Sequence, residues 1–455
     1  MDEINALLAE FVDFVKSKVD ESLKKGEIKK VEINQDYFKW KIDKFEYSMD
    51  SGLASGATGQ YITKTQTIHS HNLDNTLSNS SDFKSFVDKL KEIYHTQDVQ
   101  FKLQSFLRFI IQDYLDDKQV KQELIELFIK ELNDEPTRVK AFVRLQGVTV
   151  EDHPIKLLSS CTLRRITPAD VEEEIPIHIP FFNVSNPIHN HVTAILEIEK
   201  DILYPVEIQK EVEKAILTLR LFRVGGATSV SYSLTGKTIT KFIGGTLSSG
   251  QNLIIPRETL KVYTKDANKI KQFWKEFNAL NHGSLIGMSQ STELENIQFA
   301  YQRYCDSLFS AGVFEQQVAS AIIGLESLYL NDSEELSRFL RLRISKFLGL
   351  AGLNPQHIQS VLKDAYDVRS YFVHGNKIDY KKRRKLQNKY KTENDFLREV
   401  LEYLRLSIII LLSMHRQKDE LIDLIDDSFI DRKKEGELEA QLKDIMKRFG
   451  MEVTE

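Results

Sequence analysis

Asn354-Pro355-Gln356-His357-Ile358-Gln359-Ser360-Val361-Leu362-Lys363-Asp364-Ala365-Tyr366-Asp367-Val368-Arg369-Ser370-Tyr371-Phe372-Val373-His374-Gly375 reads as one helix with both ends marked. Asparagine caps free amides at a helix start, and proline suits the first turn. Glycine adopts the left-handed conformation just past a last turn. The spacing predicts a helix over 355–374 with an apolar stripe of Ile358, Val361, Leu362, Ala365, Val368 and Phe372. At about 100° per residue, Arg369 falls inside that stripe. A cation there needs a partner. Glu326 is the economical choice, because it sits among Ala319, Ile322, Ile323, Tyr329 and Leu330 in a second apolar stripe. His374 lies about 140° round the wheel from Arg369, so the two side chains do not converge on an ideal helix. Either the last turn unwinds or a second copy of the chain completes the site. The place of His374 beside the negative end of the helix dipole suits a proton donor.

A dense basic run follows. Lys377 to Lys391 holds eight lysines or arginines against one aspartate, Asp379. Lys377, Lys381, Lys382, Arg383, Arg384 and Lys385 are candidates for phosphate contacts, which give salt-sensitive, sequence-independent affinity. Tyr371, Tyr380 and Tyr390 are of a type that stacks on bases, although tyrosines more often pack. The alternative for the run is a solvated loop between helices.

Working outward, helical periodicity covers segments near 290–310, 313–331, 334–349, 355–374 and 392–425, with a polar helical tail to about 448. The expected class is α+β in three parts: a mixed, mostly helical region over 1–135, a β-rich domain over 136–288, and a helical domain over 289–455. In the first part, Leu7, Leu8, Phe11, Val12 and Val15 share one side of a helix over Ile4 to Leu23. Val31 to Tyr47 reads as a hairpin or strand pair, Gly52 to Ser81 as a loop, and Asp82 to Leu132 as two or three helices. In the second part, Val139, Ala141, Val143 and Leu145 alternate with polar positions, as do Val192, Ala194, Leu196 and Ile198. Ser229 to Leu234 and Thr238 to Ile243 are further strand candidates, with helices near Val206 to Leu217 and Asp266 to Leu280.

Composition narrows the function. A chain of 455 residues exceeds one ordinary core. With 41% apolar and 28% charged residues it reads as globular, and a net charge of -5 confines nucleic-acid contact to a local patch. Cys161 and Cys305 stand alone, which argues against a disulfide framework or a cysteine zinc site. Met1 to Glu10 has no basic or apolar signal region, and Leu404 to Met414 is far short of a membrane span. A cytoplasmic location, with no membrane partner, is the expectation.

Other motifs carry less. Ser231-Tyr232-Ser233-Leu234-Thr235-Gly236-Lys237-Thr238 resembles a phosphate loop but runs into strand-like residues, so a hairpin turn is expected. Gly225-Gly226 and Gly244-Gly245 read as turn or bulge glycines. His69-x-His71 and His189-x-His191 lack neighbouring acidic or cysteine ligands, and no metal site or cofactor is assigned.

The region of about 290–430 resembles the HEPN superfamily, and more narrowly its Apea-like group. The matching residues are Ala319 to Leu330, with Leu325-Glu326-Ser327-Leu328, then Arg341 to Gly349, and Tyr366 to Gly375 with its arginine-x4-histidine spacing. The resemblance implies a helical bundle that forms a homodimer and aligns two motifs in a cleft. It also implies metal-independent RNA cleavage in defence, toxin-like or stress systems. Under it, Arg369 binds the scissile phosphate, His374 moves a proton and Glu326 orients Arg369. Ser370 stands where many active members carry asparagine, aspartate or histidine. Several branches are inactive, so a non-catalytic module for dimerisation and RNA or protein binding is the alternative. Residues up to about 285 would then sense a trigger or regulate, through a protein or ligand at the β-rich domain.

Overall fold

The computed structural model describes residues 2–49, 53–94, 98–151, 153–171, 174–176, 192–204, 206–236, 238–239, 246–248, 258–280, 285, 295–309, 313–331 and 336–451. The chain opens with helix α1 (Asp2–Lys24), strands β1 (Lys29–Ser48) and β2 (Leu53–Ser70), then helices α2 (Leu73–Ser78), α3 (Ser81–Tyr94), α4 (Val99–Asp117) and α5 (Gln122–Leu132). Leu7, Leu8, Phe11, Val12 and Val15 are all buried, as their spacing implies. Phe11 packs on Phe86 and Phe106, and Phe106 stacks on Phe128 with ring centroids 4.1 Å apart.

The hairpin corrects two sequence expectations. Val31 to Tyr47 lies in one strand, and most of the expected loop at 52–81 is its partner β2, paired antiparallel from Lys29 with Ser70 to Ser48 with Leu53, with a register shift between Ile42 and Glu46. Leu53-Ala54-Ser55-Gly56-Ala57-Thr58-Gly59 shows no apolar alternation, but backbone ladder bonds need none.

The middle of the chain holds β3 (Thr137–Gln146), β4 (Val148–Val150), β5 (Ile155–Leu158), β6 (Cys161–Arg165), α6 (Pro168–Val171), β7 (Glu174–Pro176), β8 (Val192–Ile202), α7 (Val206–Phe222), β9 (Thr228–Thr235), β10 (Thr246–Ser248), β11 (Leu260–Val262) and α8 (Ala267–Ala279). An antiparallel sheet of order β10-β9-β3-β8-β6-β5 forms its centre. Val139, Ala141, Val143 and Leu145 join Ala194, Leu196 and Ile198 in its core. Gly225 makes a close approach: a Cβ there would lie 2.7 Å from the Leu260 backbone. The hairpin reaches this region where Tyr47 Oη donates to Val150 O at 2.9 Å and accepts from Val150 N at 2.8 Å. Of the expected strand at 238–243, Thr238 and Ile239 are not in a strand, and the rest lies outside the described residues, as do Gly244-Gly245 and His189-x-His191.

The C-terminal helices are α9 (Glu295–Phe309), α10 (Phe314–Tyr329), α11 (Leu336–Leu350), α12 (Pro355–Val373), α13 (Tyr380–Tyr390), α14 (Glu393–Met414), α15 (Lys418–Asp427) and α16 (Arg432–Arg448). Leu404 to Leu412 of α14 is buried on every side, which marks α14 as the central helix. The expected run over 392–425 breaks at His415, which is left-handed at φ 49°. The molecule is α+β.

One continuous apolar cluster runs from Val139 through Phe449, and a second holds the N-terminal helices. Residues 136–288 and 289–455 therefore differ in secondary structure but share a core. Polar ties reinforce it. Arg405 of α14 donates to Leu221 O at 2.5 Å and Phe222 O at 3.1 Å, and Tyr304 Oη donates to Arg220 O at 2.9 Å. These bonds satisfy carbonyls at the end of α7 that its own helix leaves unpaired. Among the described residues, no helix is long and apolar enough to cross a membrane.

Candidate functional site

Helix α12 is built as its sequence demands. Asn354 Oδ1 accepts from His357 N at 3.0 Å, and Pro355 occupies the first turn. At the other end Gly375 takes φ +70°. Gly375 N donates to Phe372 O at 3.0 Å, and Asn376 N to Tyr371 O at 2.9 Å. This double closure stops the helix and leaves His374 as its capping residue.

The Glu326–Arg369 pair is present. Arg369 Nη2 lies 3.2 Å from Glu326 Oε2, and the two side chains are 22% and 15% exposed. The pair is only half satisfied: Glu326 Oε1 and Arg369 Nε are buried without a hydrogen-bond partner among the described residues. Burial pushes the Glu326 carboxyl above its ordinary range, and Arg369 offsets part of that rise. The Arg369 guanidinium also lies 5.5 Å from the centre of the Tyr366 ring, whose hydroxyl is raised by burial and by Glu326.

His374 lies elsewhere. Its side chain is exposed, and among the described residues no hydrogen bond or ion pair links it to Arg369. One chain therefore does not bring the two together, and the last turn does not unwind to do so. Ser370 sits one turn before His374, whose amide donates to its carbonyl at 3.1 Å. Phe372 and Val373 are 39% and 51% exposed, so the end of α12 shows apolar surface.

The basic run is a helix, α13, and not a loop. Asp379 Oδ1 caps it by accepting from Lys382 N at 2.8 Å. Leu386 and Tyr390 form its buried face. This geometry divides the basic residues. Arg383 is tied to Glu315 at 2.8 Å and lies 2.9 Å from Glu393, which removes it from the exposed set. Lys389 is held by Asp364 at 2.5 Å. Lys382 is exposed, but its ammonium rests on the Tyr371 hydroxyl and lies 4.4 Å from the centre of that ring. Lys377, Lys381, Arg384 and Lys385 are exposed and make no ion pair with any described residue. Tyr380 is 75% exposed, whereas Tyr390 is buried and donates to Asp364 Oδ2 at 2.8 Å.

Sequence reasoning missed Glu315 and Glu393 as partners of Arg383. Glu315 follows Phe314 at a helix start and carries no sign of burial. The helix was legible in Asp379 followed by Leu386 and Tyr390 at a spacing of four.

The remaining candidates have ordinary roles. His69 lies 3.8 Å from Asp116, and His71 Nδ1 accepts from Leu73 N at 3.3 Å. Burial pushes the His71 imidazole below its ordinary range. Among the described residues, no group of three or more histidines, cysteines and acids is placed to hold a metal. Ser231 to Thr235 lies in strand β9, and among the described residues directly after it, Gly236, Thr238 and Ile239, there is no helix to offer its amide dipoles to a phosphate. In comparisons with known proteins, no family model, curated protein or solved structure matches this chain.

Proposed function

We propose that this chain is a metal-independent endoribonuclease of HEPN type, acting as a cytoplasmic homodimer in bacterial defence or a toxin-like stress response. The observation that carries the reading is Arg369, fixed by Glu326 and followed five residues later by an exposed histidine beside a basic helix. A guanidinium so held is suited to bind a scissile phosphate and stabilise its developing charge. His374 moves the proton that leaves the 2′-hydroxyl or the one that reaches the departing 5′-oxygen. The 2′-oxygen–phosphorus bond forms as the phosphorus–5′-oxygen bond breaks. Arg369 and His374 diverge within one chain, so a second copy supplies the missing convergence. The exposed Phe372 and Val373 support an interface there. Lys377, Lys381, Arg384 and Lys385 hold the RNA backbone, and residues up to about 285 regulate the nuclease through a protein or ligand at the sheet.

One observation favours a second reading, a non-catalytic dimerisation and binding module: the Arg369 guanidinium is engaged by Glu326 and turned toward the core. Incubating the purified protein with total RNA and EDTA separates the two. Cleavage that disappears in His374→Ala supports the nuclease. Binding without cleavage by the folded wild type supports the module.

A further inference from the structure

A small cleft of about 90 Å³ opens between α12 and α13. Its floor is Val368, Ile378 and Leu386, all buried, and Tyr371 forms one wall. On an ideal wheel Tyr371 and Asp367 lie about 60° and 20° from His374, while Arg369 faces away from them. The cleft thus shares a helix face with the exposed histidine of the candidate site.

Its rim carries opposite charges on opposite sides. Asp367 stands on the α12 side, exposed and without a hydrogen bond or ion pair to any described residue. Asp364 is not available, because Lys389 and the Tyr390 hydroxyl already hold it. Lys382 and Lys385 stand on the α13 side, both exposed. Lys382 contacts the Tyr371 hydroxyl at the edge of the ring, with its ammonium 4.4 Å from the ring centre, and a flexible exposed lysine is readily displaced to admit a base against the ring face.

We propose that this cleft is a nucleobase site for single-stranded RNA, selective for guanine, with Asp367 as the specificity-determining residue. The proposal rests on the RNA reading above. An apolar floor with one aromatic wall accepts a flat ring, and about 90 Å³ is room for an inserted ring edge, not for a whole nucleotide. An ionised carboxylate only accepts hydrogen bonds. Among the four RNA bases, guanine alone presents two adjacent N–H donors, at N1 and N2, on its pairing edge. Its O6 acceptor lies beside them, on the side where Lys382 and Lys385 stand. Adenine and cytosine offer one amino group beside an acceptor, and uracil offers one N–H between two carbonyls. A base in a duplex has its pairing edge occupied, so the site reads unpaired RNA.

The test uses the full chain with His374→Ala to prevent turnover, and fluorescein-labelled oligouridine 11-mers carrying G, A, C, U or inosine at the centre. Binding is read by fluorescence anisotropy at fixed salt. Guanosine is expected to bind about 10-fold tighter than adenosine or cytidine, because a bidentate base contact discriminates by about 1–3 kcal/mol. Inosine, which lacks the N2 amino group, is expected to lose most of that advantage. Asp367→Asn should bring the bases within about 2-fold while leaving uridine binding unchanged. Tyr371→Ala should weaken them all, and unchanged thermal unfolding of Asp367→Asn guards against a folding artefact. Tight RNA binding with no preference for guanosine, or a preference that survives Asp367→Asn, overturns the cleft assignment and leaves the RNA reading standing. No binding to any oligomer overturns both.

Discussion

Removing Arg369 should destabilise the protein in a strongly pH-dependent way. In Arg369→Ala the Glu326 carboxylate keeps its burial and loses both the ion pair and the 3.2 Å hydrogen bond. A hydrogen bond to a charged group contributes about 1.5–3 kcal/mol, and the one-fifth exposure of these side chains places the expected loss near 2 kcal/mol at pH 8. Burial already raises the carboxyl above its ordinary 4.5, and losing Arg369 raises it further. Between pH 4.5 and that raised value the folded protein holds a proton that the unfolded chain has released, so stability falls as pH climbs through the window. Well below 4.5 Glu326 is largely neutral in both states, and the penalty should shrink below about 1 kcal/mol. Glu326→Gln removes the buried charge, and its amide oxygen still accepts from Arg369. It also leaves the largely buried Arg369 cation without its counter-charge, so a cost of about 1–3 kcal/mol is expected, one that does not grow from low to high pH because the titrating group is gone. Urea unfolding at about pH 4 and pH 8 reads this through Trp274, which is 4% exposed in the shared core, in a Trp40→Phe background. Equal losses for Arg369→Ala at both pH values, or a Glu326→Gln loss that grows with pH as that of Arg369→Ala does, would refute the reasoning.

Other outcomes follow from the same geometry. His374→Ala should abolish RNA cleavage and change stability by less than about 0.5 kcal/mol, since the side chain is exposed; activity assay and urea unfolding check both halves. Arg383→Ala leaves Glu315, whose side chain is 9% exposed, without its cation and should cost about 1–3 kcal/mol, whereas Arg384→Ala should be nearly neutral in the same titration. Combining Lys381→Glu, Arg384→Glu and Lys385→Glu should lower RNA affinity and reduce the slope of log affinity against log salt by about 2, at about 0.7 per lost contact with single strands. Gly375→Ala meets no steric neighbour but must hold φ +70°, and should cost about 1–2 kcal/mol of backbone strain in thermal unfolding.

Local signals were legible wherever the chain dictates its own conformation. Asn354-Pro355 and Gly375 delimit α12, because caps and left-handed glycines act within a few residues. Val139 to Leu145 declares its buried face by alternation, and the wheel that put Arg369 in an apolar stripe also found Glu326. What lay beyond reach was pairing between distant segments. The glycine- and serine-rich β2 became a strand only through its partner β1, and Glu315 was claimed by Arg383 from 68 residues away.

For the candidate site the division is sharp. The sequence by itself determined that Arg369 and His374 stand on one helix, that they diverge around it, and that a cation in the stripe requires an acid. Those are consequences of helical geometry and of the cost of burying charge, and both act locally. Only the tertiary structure decided which basic residues remain exposed, because that depends on the acids brought up by α10, α12 and α14 against α13. It alone also opened the cleft beside Tyr371 and Asp367. A cavity belongs to the space between elements, and no single element encodes it.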